Sequence, residues 1–182
     1  MDSDEVLYAR VREGDMRAFD VLYERYERRL FGFLLSQLRS QEDAEDVFHE
    51  AFLRTLKSRE VTFEGPGGFR TWLYRIARNA ALNRLRGDRR GARALAQLPD
   101  VDTKEEPARA DESLAQRELR SALDGAVARL PPTLSEVYHL RSSGLSYEEI
   151  AAVLEIPLGT AKSRMNQMVT QLREELRPWT AR

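Results

Sequence analysis

Cysteine is absent from this 182-residue chain, which excludes disulfide bonds and metal sites built from thiolates. No run of eighteen apolar residues occurs, so no membrane-spanning helix is expected. The first residues, Met1 to Asp4, are acidic, whereas a secretory signal peptide begins with basic residues. We therefore expect a soluble, cytoplasmic protein with no membrane insertion. Aromatic residues amount to only 8% and strand-favouring runs are nearly absent, a composition that suits an all-α fold.

The charges are segregated along the chain, although their formal sum is only −1. Between Phe69 and Arg93, eight arginines stand against the single Asp88. Acidic residues dominate from Ser40 to Glu50 and again from Asp100 to Glu112. Such a chain could bind a polyanion with one face and a basic protein surface with another. The opposite signs also suggest the hypothesis that the two kinds of face cover each other in the free protein.

Apolar residues recur every three or four positions in two parts of the chain, which predicts two small helical domains. The domains are predicted over residues 1–90 and 114–182. Between them, residues 91–113 lack a sustained period and carry acidic charge and prolines, so a flexible acidic linker is expected there. The helices predicted with definite bounds are Asp4–Arg12, Met16–Leu38, Phe69–Arg86 and Thr133–Ser142, with a further helix capped by Ser40.

A helix-turn-helix is predicted in the second domain. Ser146 and Glu149 have the spacing of a capping box at the start of its first helix. The tight turn 156–159 follows, and Thr160 is predicted to cap the second helix, which would extend to Leu176. Short polar and cationic side chains on the outer face of that helix suit base edges and phosphates in a DNA major groove. The alternative is a helical hairpin whose polar face is simply solvated.

A glycine-rich loop, residues 65–68, leads into the arginine-rich helix of the first domain. Glycine lets a backbone approach a ligand closely, arginines can follow phosphates, and aromatic side chains can stack on bases. Phe63 and Asn79 suit the wall and edge of a pocket for a base extruded from its stack. Trp72 is predicted to be a core residue.

Four segments, in this order, resemble the bacterial RNA polymerase sigma factors of the extracytoplasmic-function (ECF) group: "AFDVLYERY", "EDAEDVFHEAFLRTL", "FRTWLYRIARNAALNRLRGDRR" and "LSYEEIAAVLEIPLGTAKSRM". The resemblance covers nearly the whole chain. It implies a transcription initiation factor that binds core RNA polymerase and directs it to two-element promoters. It also implies melting of the minus-ten region by capture of a flipped non-template base, and an acidic linker that threads through the polymerase.

The resemblance assigns residues to three surfaces. The first docks on the clamp helices of the polymerase β′ subunit, through Asp43, Asp46, Val47, Glu50 and Phe52. The second contacts the minus-ten element, through Phe63, Arg75, Arg78, Asn79, Asn83 and Arg86, with Phe63 and Asn79 at the flipped base. The third reads the minus-thirty-five element, through Thr160, Lys162, Ser163, Arg164, Asn166 and Gln167. The further partners implied are the polymerase β flap and an anti-sigma factor.

No enzymatic activity, cofactor or metal is expected. The two histidines, His49 and His139, fall in different predicted domains, and no nucleophile–base pair or metal-ligand spacing is present. Two other functions remain open from the residues themselves. A stand-alone helix-turn-helix regulator would bind duplex DNA tightly without polymerase. A helical adaptor would use the helix-turn-helix to dock on protein, and the run Met168–Gln171, which lacks arginine, favours it.

Overall fold

The computed structural model describes residues 2–58, 61–63, 65–92 and 114–180. Within these ranges the chain forms helices and no strand, which confirms the all-α prediction. The helices are α1 (Asp4–Arg12), α2 (Met16–Leu38), α3 (Gln41–Lys57), α4 (Gly68–Ala92), α5 (Leu114–Ala128), α6 (Pro132–Ser142), α7 (Tyr147–Leu154) and α8 (Leu158–Thr180). Residues 93–113, which hold most of the predicted linker, lie outside the described residues.

Local capping signals set most helix starts where the sequence predicts them. The Ser40 hydroxyl accepts a hydrogen bond from the Asp43 amide at the start of α3. At the start of α7, Ser146 and Glu149 form the predicted capping box in both directions. Each cap satisfies backbone amides that have no partner within the helix.

Helix α4 is longer than predicted at its C-terminal end. It continues through Gly87 to Ala92, whereas the apolar period ends near Arg86. Local propensity does not explain the extension, because Gly87, Asp88 and Gly91 are among the added residues and disfavour helix. The start of α4 is held from outside the helix, because the Glu5 carboxylate of α1 accepts a hydrogen bond from the Phe69 amide at 3.1 Å.

The first domain packs α1 to α4 around an aromatic core. Its most deeply buried side chains include Tyr8, Phe33, Phe69 and Tyr74. Phe48 and Phe52 of α3 add a further ring pair, with centroids 5.0 Å apart. The few aromatic residues of the chain are therefore concentrated where one core needs large apolar surfaces.

The second domain packs α5 to α8 around a smaller aliphatic core. Val137, Leu140, Ile150 and Val153 are fully buried in it. Ala161, at the start of α8, is also buried, and its small side chain allows α7 and α8 to cross closely. This geometry fixes the outer face of α8 relative to the rest of the domain.

The two domains contact each other directly. Helix α4 packs against α7, and α2 packs against α6. Two ion pairs cross the contact, Arg70 with Glu149 and Arg78 with Glu136. Basic and acidic side chains of the two domains thus cover each other, in line with the hypothesis from charge segregation.

His139 of α6 makes the stability of the fold depend on pH. Burial lowers the pKa of His139 to about 4 from its ordinary value of 6.5. The neutral ring is therefore favoured in the folded state, and its contribution to stability is lost as pH falls from 6.5 towards 4. We expect the free energy of unfolding to fall by about 2 kcal/mol between pH 7 and pH 5. Urea unfolding at both pH values measures it.

The His139→Gln variant should lose most of that pH dependence, whereas His49→Gln, at an exposed histidine, should retain it. Equal pH dependence in native protein and the His139→Gln variant would show that the half-buried His139 ring is not the cause.

Candidate nucleic-acid interface

An exposed polar stripe runs along α4. Arg75, Asn79, Asn83 and Arg86 are all exposed and follow one another at steps of three or four residues. Side chains at such steps lie on one face of a helix. The structure therefore brings together four of the six residues predicted to contact the minus-ten element. Guanidinium groups on this stripe can bind phosphates, and the amides can read base edges.

Arg78 lies at the edge of the same face. It follows Arg75 by three residues, but the rotation of about 100° per residue separates it from the adjacent Asn79. Its guanidinium Nε is 2.7 Å from Glu136 Oε1 of α6. In this conformation Arg78 binds the second domain and does not extend the polar stripe.

Phe63 is half-buried among other rings. Its ring centroid lies 5.3 Å from that of Tyr8, 5.7 Å from Trp72 and 5.8 Å from Phe69. Trp72 packs in the same group, consistent with the core role predicted for it. Because α4 rises about 1.5 Å per residue, Asn79 lies roughly 10 Å along the helix from Trp72, on a similar face. The rings around Phe63 and the amide of Asn79 therefore lie at separate points along one surface.

The arginines of α4 are not as unbalanced as the local sequence indicates. Arg70, Arg78 and Arg84 form ion pairs with acids from other helices. The local sequence offers only Asp88 against eight arginines, but for these three the balancing acids come from distant parts of the chain. For Arg75 and Arg86, which are exposed, the nucleic-acid interpretation stays a prediction.

The acidic face of α3 is exposed next to this helix. Asp46 and Glu50 point to solvent, and Glu50 pairs with Arg54 of the next turn at 2.6 Å. Asp43 is half-buried, and its Oδ1 lies 2.5 Å from Arg84 Nη2 of α4. Asp46 Oδ2 is 3.5 Å from the same nitrogen. Arg84 thereby fixes the acidic face relative to the polar stripe.

Val47 and Phe52 do not belong to that exposed face. Each is only 2% exposed, and Phe52 packs against the rings of Phe19 and Tyr23. Direct contact of these two side chains with a partner does not fit the structure, because reaching them would open the core. Their role in this fold is to hold α3 so that Asp46 and Glu50 face outward.

The outer face of α8 carries the polar residues predicted to read DNA. Four of them are exposed and line one concave surface, which encloses a volume of about 1040 Å³: Lys162, Ser163, Asn166 and Gln167. Arg164 is half-buried beside them. Glu174 and Glu175 border the far end of the concavity, so its favourable charge for a polyanion is confined to the first half of the helix.

Thr160 does not cap α8, so that prediction is wrong. The helix begins at Leu158, and the Pro157 carbonyl accepts hydrogen bonds from the amides of Thr160 and Ala161 at 2.9 and 3.1 Å. Thr160 therefore lies inside the first turn, where its hydroxyl is not placed at the cap position.

Helix α7 adds negative charge beside the start of α8. The pKa of Glu148 is lowered, first by a hydrogen bond from its own backbone amide and then by the Ser146 hydroxyl. Lys162 of α8 lowers the pKa of Glu148 further by its positive charge. Lys162 is thus close enough to Glu148 for the two charges to interact.

Sequence reasoning missed the pairing role of Arg84. In the helical period Arg84 falls on the same face of α4 as Leu73 and Ala77, which are buried. A cation in line with buried apolar residues was the signal in the sequence for a nearby acid. The structure supplies Asp43 there.

Among residues 2–58, 61–63, 65–92 and 114–180, no group of three or more histidine, aspartate or glutamate side chains could hold a metal ion. In the same part of the chain, no helix has the length and apolar character needed to cross a membrane.

Comparison with known proteins gives concordant results. The chain matches the family model described as Sigma-70 region 2 over residues 22–91, and that described as Sigma-70, region 4 over residues 120–172. It is 32% identical to the RNA polymerase sigma-H factor of Pseudomonas aeruginosa, over 97% of this chain and 95% of that protein. It is 34% identical to the ECF RNA polymerase sigma-E factor of Haemophilus influenzae, over 97% and 96% of the two chains.

Two solved structures share the fold. The sigma factor RpoE of Bartonella quintana, in complex with the anti-sigma factor NepR, aligns with a TM-score of 0.70 at 24% identity, over 87% of this chain and 96% of that one. CnrH, in complex with the cytosolic domain of CnrY, aligns with a TM-score of 0.66 at 23% identity, over 97% and 99% of the two chains.

Proposed function

The chain belongs to the ECF group of sigma-70 transcription initiation factors, and we propose that it binds core RNA polymerase and directs it to promoters with two separated elements. Sigma factors are not catalysts, and in this proposal the polymerase carries out all the chemistry. The protein contributes binding energy and geometry only.

The observation that carries the proposal is the presence of three separate exposed surfaces on three helices. These are the acidic face of α3, the arginine and asparagine stripe of α4, and the polar outer face of α8. A factor that joins an enzyme to two DNA elements needs three binding surfaces. One acidic surface and two surfaces suited to nucleic acid match that need. A protein that only binds duplex DNA has no use for the first.

Polymerase binding is assigned to the first domain. Asp46 and Glu50, exposed on α3, would meet a basic surface, proposed to be the clamp helices of the β′ subunit. The Arg84 contact with Asp43 and Asp46 would hold the polar stripe of α4 at a fixed position relative to polymerase. The second domain is proposed to dock on the β flap.

The minus-ten element is proposed to bind along α4. Arg75 and Arg86 would contact phosphates, while Asn79 and Asn83 would reach bases. A non-template base, once flipped, would lie between the ring of Phe63 and the amide of Asn79. Capturing it would offset the few kcal/mol that unstacking costs. Phe63 would need only a small displacement from its ring contacts, because it is half-buried at the surface.

The minus-thirty-five element is proposed to bind α8. Lys162 would approach phosphate, and Asn166 and Gln167, which line the same concave surface, would form paired hydrogen bonds with base edges. Because so few cations surround this surface, the second domain alone should bind DNA weakly. Promoter selection would then require both elements at one spacing.

An anti-sigma factor is the regulatory partner we propose. Both structural neighbours were solved as complexes, RpoE with the anti-sigma factor NepR and CnrH with the cytosolic domain of CnrY. A partner of the same class would inhibit this chain by covering the surfaces of α3, α4 or α8.

The stand-alone regulator and the adaptor are the alternatives to be tested. Gel filtration of the purified protein with core RNA polymerase should give a co-eluting complex, and the protein alone should not shift duplex DNA at moderate salt. Elution apart from polymerase, together with tight duplex binding by the protein alone, would instead support a stand-alone regulator. Elution apart from polymerase with no DNA binding would support an adaptor.

A further inference from the structure

Helix α1 connects the other three helices of the first domain. Three of its side chains, Asp4, Glu5 and Tyr8, each bind a different helix. They are spaced so that Tyr8 lies one turn after both acids and on the same face. The Asp4 carboxylate accepts hydrogen bonds from the Tyr26 hydroxyl and the Arg25 guanidinium, both on α2. These bonds anchor α1 on α2 and leave Glu5 and Tyr8 to contact the other two helices.

The Tyr8 hydroxyl lies at the C-terminal end of α3. Its oxygen is 3.2 Å from the carbonyl oxygen of Thr55 and 3.1 Å from that of Ser58, so it can donate a hydrogen bond to either. Carbonyl groups at the end of a helix lack partners within it, so a donor placed there fixes how the chain leaves the helix. Burial raises the pKa of the Tyr8 hydroxyl, against the opposing positive charge of Arg12, and the hydroxyl therefore keeps its proton.

The ring of the same tyrosine touches the residue proposed to stack on the flipped base. The ring centroids of Tyr8 and Phe63 are 5.3 Å apart, with an edge-to-face angle of 70°. The Tyr8 ring also lies 5.3 Å from that of Phe69 and 5.5 Å from that of Trp72, in the first turn and a half of α4. One side chain, only 2% exposed, thus contacts the end of α3, Phe63 and the beginning of α4.

Glu5 fixes the far end of the segment that joins α3 to α4. Its carboxylate accepts a hydrogen bond from the Phe69 amide at 3.1 Å. It also packs against the backbone of Gly68, where φ is +44° and an added Cβ would overlap its Oε1. The connecting segment is therefore bound at its start by Tyr8 and at its end by Glu5, and Phe63 lies between these two points.

A phenylalanine at position 8 would fill the same space in the core. The hydroxyl adds a link between α3, which carries the acidic face proposed to dock on polymerase, and the segment that carries Phe63. A pocket that is already in place loses less free energy on binding than one that must first be ordered. A fixed Phe63 therefore favours capture of a base.

We propose that Tyr8 is a positioning residue for the minus-ten pocket, because it holds Phe63 at a fixed place relative to α3, while Glu5 holds the start of α4. The effect of these contacts on base capture rests on the proposed function. Loss of the hydroxyl leaves the ring of Phe63 present but releases the start of its segment, so that a flipped base is held less firmly.

Binding of a single DNA strand to the holoenzyme tests this role. The probe is a short non-template strand with the minus-ten sequence of a start site used by the native holoenzyme, made with an abasic site at each position in turn. One abasic position should weaken native binding by about tenfold, the size expected for the loss of one stacked base. In Tyr8→Phe the intact strand should bind about tenfold more weakly, and the same abasic site should cost less than about threefold more.

Tyr23→Phe is the matched control, because it also removes one hydroxyl from the first domain. That hydroxyl lies 3.4 Å from Nε2 of the exposed His49. The control should keep the native affinity and the native abasic penalty. Core polymerase should bind all three proteins equally, because Tyr8 is buried and forms no part of the acidic face of α3. Circular dichroism checks folding. If Tyr8→Phe does not fold, Glu5→Ala, at an exposed position, decides, and it should reduce the abasic penalty in the same way.

The abasic penalty distinguishes positioning from a general loss of structure. A variant that is merely less stable would bind with a smaller active fraction but with the full penalty. A full penalty in Tyr8→Phe, or native affinity of that variant for the intact strand, would overturn the positioning role while base capture stands. If no abasic site weakens binding by the native holoenzyme, base capture itself fails, and the role of Tyr8 fails with it.

Discussion

Replacing Asp46 and Glu50 by arginine is expected to weaken binding to core RNA polymerase by at least about a hundredfold. The two carboxylates lie one turn apart on the exposed side of α3 and are proposed to meet a basic surface. Reversing both charges turns attraction into repulsion. Titrating a fluorescently labelled protein with core polymerase measures the change in affinity.

The fold should survive this change. Glu50 pairs with Arg54 and Asp46 with Arg84, and both pairs are exposed, so each contributes a few tenths of a kcal/mol. Asp20→Arg/Glu24→Arg is the matched control, because it has the same residue types, spacing and exposure on α2. Equal weakening in the two variants would point to net charge as the cause. Undiminished binding by the α3 variant would show that the acidic face is not the docking surface.

Replacing Arg75 and Arg86 by alanine should leave polymerase binding intact but reduce promoter open complexes by at least about tenfold. Both guanidinium groups are exposed on the stripe of α4. Because each guanidinium bound to a phosphate releases counterions, removing one should lower the dependence of log affinity on log salt by about one unit. Lifetimes of the holoenzyme–promoter complex over a range of salt concentrations measure both effects.

Arg17→Ala/Arg28→Ala removes the same charge from exposed positions of α2 and serves as the control. It should retain the native salt slope. A control slope as shallow as that of the α4 variant would mean that DNA responds to overall charge, with no special role for the stripe.

The first two helices could be predicted from sequence because their signals are local. Their bounds, Asp4–Arg12 and Met16–Leu38, are those expected from the apolar period and from the glycine at position 14. The start of α8 was predicted too late, because threonine is a common cap and Thr160 stands before the first buried residue. In the structure the Pro157 carbonyl is the first acceptor, so the helix starts three residues earlier.

The exposed face of α8 could be predicted because a helical period assigns faces. The distinction between exposed and buried positions of α3 was harder to predict. The resemblance assigns Val47 and Phe52 to the polymerase-binding surface, yet their side chains complete the core. A resemblance to a family assigns a role to a position in the sequence. Whether the side chain at that position is buried depends on which helices pack around it.

Contacts between distant residues were out of reach of sequence reasoning. Arg70 and Glu149 are separated by 79 residues, and Arg78 and Glu136 by 58. Composition indicated that opposite charges could meet, but pairing them requires the arrangement of the domains. The same holds for Gly67, whose lack of a side chain is explained by a carboxylate from the other domain.

The most direct test of the function is to map transcription start sites in vitro. Core RNA polymerase would be incubated with genomic fragments from the source organism, with and without the protein. We predict new start sites, each preceded by a shared pair of sequence elements at constant spacing. Unchanged transcripts, together with protection of duplex sites by the protein alone, would contradict its role as an initiation factor.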